Sequence, residues 1–151
     1  MTLKRLAPLI VSLALWPNAP ASADELPWVF NAPPAEGYSI ALVSVDPAPG
    51  TPLTAGARFH FNATVSYTMS IAKHGMIVLV FQDEKDANAS PTSPQVRYEV
   101  NDSAGVASLA GQLTVPRGAK ELRVYIPLVP DGLEKTSGEV TIRYPITKVA
   151  R

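Results

Sequence analysis

From Tyr38 onward the chain alternates apolar and polar residues in short runs, broken by turns rich in proline and glycine. The clearest run is "ARFHFNATVSYTM", Ala57 to Met69. There Phe59, Phe61, Ala63, Val65 and Tyr67 alternate with Arg58, His60, Asn62, Thr64, Ser66 and Thr68. A period of two marks a strand with one buried face and one wet face. Six further runs read as strands: Tyr38 to Asp46, Met76 to Asp83, Gln95 to Asn101, Val106 to Val115, Glu121 to Val129 and Gly138 to Thr147. Between them lie "PAPGTP", "DSAG" and "PRGAK", whose prolines and glycines favour turns and interrupt a ladder. Beyond residue 23, no stretch sustains apolar positions at helical spacing.

Seven short alternating strands, with turns roughly every 8–12 residues, predict an all-β fold. The expected architecture is an immunoglobulin-like antiparallel β-sandwich, with a small β-barrel or jelly roll as the alternative. Antibody hallmarks are absent, since the chain has no cysteine and no tryptophan in its third strand. "VSVDPAPGTPLTAGARFHFNATVSY" (Val43 to Tyr67) resembles the opening of bacterial extracellular Ig-like modules of the adhesion-related and fibronectin-III-like kind. Val43, Val45, Pro47 and Gly56 occupy the places of their V-x-V-x-P start and of the glycine before a long second strand. "LTVPRGAKELRVYIPL" (Leu113 to Leu128) is similar to the turn that leads into their penultimate strand. The resemblance implies a β-sandwich serving as an adhesion, scaffold or accessory domain, and it brings no catalytic residues with it.

The third strand departs from simple alternation. "MIVLVF" is apolar on both faces, with Met76, Val78 and Val80 on one and Ile77, Leu79 and Phe81 on the other. Such a strand is buried on both sides. Its outer face then needs a cover. One candidate is the segment before Tyr38, whose Leu26, Trp28, Val29 and Phe30 would otherwise stand exposed. The other is a partner, because monomers seldom expose large apolar patches. Trp28, Val78 and Val80 are therefore the candidate partner-binding residues, for a protein of the cell envelope or a second copy of the chain.

The first 23 residues read as a signal peptide. Lys4 and Arg5 precede the apolar "LAPLIVSLAL", and Ala21-Ser22-Ala23 supplies small residues for cleavage. The apolar run is shorter than the roughly 20 residues that a membrane span requires, so no membrane insertion is expected after cleavage. Residues 24–37 form an extended N-terminal arm and residues 38–151 the sandwich. Removing 23 from the 151 residues leaves 128, enough for one core. That part keeps all 13 acidic residues but 11 of the 13 basic ones, a net charge near −2. With no basic stripe, nucleic-acid binding is not expected. A periplasmic or secreted location is expected, with no disulfide to hold the fold.

Two sets of residues raise the prospect of metal binding. Met69, His74 and Met76 lie within eight residues, and thioether and imidazole ligands suit copper. His60 cannot join them, being nine residues upstream on the same strand, about 30 Å away. The opposing view takes Met76 as core filler, Met69 as a strand end and His74 as a solvated loop residue, and it prevails. The oxygen-bearing loop of Asp83, Glu84, Asp86 and Asn88 lacks the spacing of a calcium loop and contains Lys85. Without cysteine, without a G-x-S-x-G elbow and with two histidines far from any nameable triad, no enzymatic activity is expected. The function expected from the sequence is thus an exported, non-catalytic protein-interaction or accessory module of the bacterial envelope. A periplasmic copper-binding protein is the alternative.

Overall fold

The computed structural model describes residues 27–85, 95–133 and 136–148. The leader, Leu26, Asp86 and Asn88 lie outside these residues. Every regular element described is a strand: β1 (Val29–Ala32), β2 (Tyr38–Asp46), β3 (Leu53–Thr54), β4 (Arg58–Met69), β5 (Gly75–Asp83), β6 (Val96–Val100), β7 (Ala104–Thr114), β8 (Glu121–Pro130) and β9 (Gly138–Thr147). No described helix is long and apolar enough to cross a membrane.

The strands form a β-sandwich. One sheet runs β1-β9-β8-β5-β6, with β3 added to β9, and the other runs β2-β4-β7. All pairings are antiparallel except the short one between β3 and β9. Period-two alternation decides which side chains meet in the middle. Phe59, Phe61, Ala63, Val65, Tyr67 and Met69 point inward from β4. They face Ile77, Leu79 and Phe81 of β5, Leu122, Val124, Ile126 and Leu128 of β8, and Val140, Ile142 and Tyr144 of β9. At one end of the core four rings cluster. Phe59 lies 6.2 Å from Phe61, 6.2 Å from Phe81 and 5.3 Å from Tyr144 between centroids, and Phe61 lies 6.1 Å from Phe81. Most of these contacts are edge-to-face, the arrangement that ring quadrupoles favour.

Two irregularities have local causes. In β2 the register with β4 slips between Leu42 and Ser44. Val43 is the extra residue of this bulge and stands 61% exposed, which lets Leu42 and then Val45 both turn toward the core. Between β5 and β8 the pairing lapses at Val78 and Leu79, opposite Ile126 and Pro127. The proline ring has no N–H to offer the ladder.

Tyr144 ties the core to the β2–β3 connection. Its ring is fully buried and its hydroxyl donates to the Pro47 carbonyl at 2.7 Å. Burial, and then the negative charge of Asp46, push that hydroxyl well above the ordinary tyrosine range. In the unfolded chain a tyrosine ionises near pH 10 (about). A group whose pKa is raised on folding contributes stability that is complete below its unfolded value and is lost as pH rises through its folded value. The urea midpoint is therefore expected to fall as pH is taken from about 9 to 11, and to fall less in Tyr144→Phe. Equal slopes in the two proteins would assign the alkaline loss to other groups.

Candidate functional site

The partner-binding candidates occupy one face but not one patch. Trp28, Val78 and Val80 all lie on the outer face of the larger sheet. Trp28 is 36% exposed, whereas Val78 and Val80 are each 8% exposed in the single chain. Their cross-strand neighbours are Arg97 and Tyr125. Little of either valine is open to a partner. Nor does the arm lie over them, because β1 is itself the edge strand and pairs with β9, leaving β9 and β8 between itself and β5. The arm extends the sheet instead of covering it.

Trp28 is held just before β1 begins. Its carbonyl accepts the Arg143 N–H at 2.8 Å, and the Arg143 carbonyl accepts the Gly50 N–H at 3.0 Å. The Arg143 guanidinium sits 5.7 Å from the indole centroid, within cation–π range. The indole also rests on Gly50, where a Cβ would come within 2.9 Å of three ring atoms. Gly50 has a φ of +79°, in the left-handed region that favours glycine, so the turn under Trp28 suits this residue on both counts.

Beside Trp28, the register builds a depression that no single run of sequence reveals. Phe30 of β1 pairs with Thr141 of β9, Thr141 with Tyr125 of β8, and Tyr125 with Val80 of β5. One step along, Arg143 pairs with Arg123, and Arg123 with Gln82. At two strand spacings, Phe30 and Tyr125 stand about 10 Å apart with Thr141 between them. The cavity so formed is about 440 Å³ and is lined by Phe30, Gln82, Arg123, Tyr125, Glu139, Thr141 and Arg143. Phe30 is 48% exposed at its rim.

The polar side chains of this face are held by one another. Glu121 accepts Arg123 Nε at 2.8 Å and Arg143 Nη2 on its other oxygen. Burial pushes the Glu121 carboxyl up, but the hydrogen bonds from Arg143 and Arg123 outweigh it and hold the group below its ordinary value. The carboxylate is thus a fixed negative bridge between two cations. Tyr125 donates its hydroxyl to Glu139 at 2.8 Å. Burial, together with the Glu139 carboxylate, raises the Tyr125 hydroxyl, so it stays a donor. The result is a face with preset hydrogen-bonding groups of both charge signs and one open aromatic ring.

The metal candidates are not brought together. Met69 is fully buried in the core, its sulfur 3.0 Å from where a Cβ on Gly75 would lie. Met76, next to inward-facing Gly75 and Ile77, points the other way, off the outer face of the larger sheet. The sheet backbone separates the two sulfurs. His74 is exposed, with Nδ1 3.3 Å from Asn101 Oδ1, and His60 lies on the outer face of β4 opposite Gln112. Of the acidic loop, Asp83 accepts the Lys85 N–H at 2.8 Å and Glu84 accepts the Lys120 N–H at 3.1 Å.

Fold and site together define a β-sandwich with one structured polar–aromatic face. No family model matches the chain, and no curated protein matches it. Among solved structures it is similar to a family 123 glycoside hydrolase from Clostridium perfringens, studied for glycolipid glycan hydrolysis. Sequence identity is 15% and the TM-score 0.35, over 68% of this chain. The match spans 23% of the hydrolase chain. The expectation that this chain is not an enzyme is corrected here, because the structure it aligns with is itself a hydrolase. At that TM-score the likeness assigns neither a reaction nor a residue to this chain.

Proposed function

We propose that this chain is an exported interaction module of the bacterial envelope, periplasmic or secreted, that docks a protein partner on the outer face of its larger sheet. The observation that carries the proposal is the depression between Phe30 and Tyr125, with Trp28 beside it and Arg123, Arg143 and Glu139 around it. Aromatic residues and arginine are the types that most often anchor protein interfaces. Here the arginines are already oriented by Glu121 before any partner arrives, which reduces the ordering that binding must supply. The amino-terminal pattern, Lys4 and Arg5 followed by an apolar run and Ala21-Ser22-Ala23, supports export. The docking surface proposed from the structure is thus shifted from Val78 and Val80 toward the β1 edge.

A photo-crosslinking residue placed at Phe30, against a control at exposed Asp131, tests the proposal in envelope fractions. A discrete adduct is expected from position 30 and not from position 131. Tyr125→Ala is expected to weaken that adduct by about tenfold or more, the effect of losing one anchor residue. Equal, diffuse labelling from both positions would sink the proposal.

A further inference from the structure

We infer that two copies of this chain pair edge to edge along β7, joining their smaller sheets into one continuous six-stranded sheet. This surface is separate from the Phe30 face and does not depend on it. β7 pairs with β4 on one side, and among the described residues no strand lies along its other side. In an antiparallel ladder, the N–H and C=O of a residue point to the same side and alternate along the strand. The Tyr98 hydroxyl donates to the Ala110 carbonyl at 2.9 Å and accepts the Ala110 N–H at 2.8 Å. Ala110 therefore faces the open side, and by alternation so do Ala104, Val106 and Ser108.

Proteins usually guard such an edge with a charge, a proline, a bulge or a short strand. β7 has none of these. Ala104–Thr114 is eleven residues long, contains no charged residue and no proline, and holds an unbroken register with β4 from end to end. The Tyr98 hydroxyl at Ala110 is the cap found along it. The outward residues next to it on β4, Thr64, Ser66 and Thr68, are uncharged as well. Val106 stands 66% exposed in the middle of the uncapped part.

The charge pattern selects a second copy as the occupant. The uncapped edge, Ala104 to Ser108, offers no charge by which to choose a foreign strand. A two-fold axis needs no such selector, since it sets each residue against its own kind. An axis at Val106 pairs Val106 with Val106 of the second copy and Ala104 with its Ser108, and it leaves the Tyr98 cap in place. No like charges oppose each other, and the two exposed valines shield one another.

Sedimentation of the folded chain over a wide concentration range is expected to show a monomer–dimer equilibrium. Val106→Lys, an exposed position that the core does not use, is expected to weaken the dimer by about tenfold or more by setting two ammonium groups face to face. Because the chain contains no cysteine, Val106→Cys introduces a single thiol. In the proposed register the two Cα atoms are about 5.5 Å apart, within disulfide reach. Mild oxidation is then expected to yield a covalent dimer. Gln112→Cys, whose twin would lie about 40 Å away along the strands, is expected not to yield one. A chain that stays monomeric throughout, a dimer unaffected by Val106→Lys, or equal crosslinking of both cysteine variants would each overturn the inference.

Discussion

Phe61→Ala is expected to lower the stability of the sandwich by about 3–5 kcal/mol. The ring is fully buried on β4, the middle strand of its sheet, and stands edge-on to Phe81 across the core. Truncation removes the transfer free energy of the ring and leaves a void that must either collapse or stay empty. Collapse is obstructed because β4 is held on both sides, by β2 and by β7 over its full length. A domain of this size has a total stability of about 5–15 kcal/mol, and no disulfide supports this one. The variant should therefore be marginal at room temperature. Urea unfolding followed by far-ultraviolet circular dichroism checks this. A loss below about 1 kcal/mol would show that the sheets close over the gap.

The opposite change, adding bulk, is expected to be nearly as damaging at Gly111. This glycine faces the core from β7 directly across from Phe61. A Cβ there would come 2.8 Å from Leu79 Cδ2, 2.8 Å from Phe81 Cζ and 2.9 Å from Phe81 Cε2. The ring cluster thus occupies the space that a side chain on β7 would fill. Gly111→Val is expected to cost about 1–3 kcal/mol through overpacking, with Gly111→Ala closer to the low end. Its test is the same unfolding experiment. A Gly111→Val protein as stable as the parent would mean that Phe81 has a second rotamer to turn into. Glycine inside a strand ordinarily weakens it; here it makes room for Leu79 and Phe81.

Strands whose two faces differ were legible in the sequence, because alternation itself is what folds them. The run from Tyr38 to Asp46 and that from Gly138 to Thr147 match β2 and β9 end to end, and Ala57 to Met69 matches β4 within one residue. β1 was not legible. "VFNA" is short and without period, and it becomes a strand because the open edge of β9 supplies partners. The bulge at Val43 was hidden for a related reason. In "SIALVSVD", adjacent Leu42 and Val43 read equally well in either phase, and the partner strand decides which one leaves the ladder.

The site was harder to read than the fold. Phe30, Gln82, Arg123, Tyr125 and Arg143 come from four strands scattered across the chain, and only the register assembles them. A faint signal was present in the outward positions, where Arg123 and Tyr125 alternate with buried Leu122, Val124 and Ile126. The Met69, His74 and Met76 group failed for the converse reason. Closeness in sequence does not say which side of a sheet a residue takes, and one step of phase between Gly75 and Met76 puts the backbone between the two sulfurs.

The seat of Trp28 has a consequence for following the molecule in solution. The indole lies over Gly50 and under the Arg143 guanidinium, at the seam where β1 hands the edge of β9 to residues 50–55. A chain begun at Asp24 has no other tryptophan. Its fluorescence therefore reports on that seam alone, and it can separate a peeling of the arm from the melting of the body to which the arm is fastened.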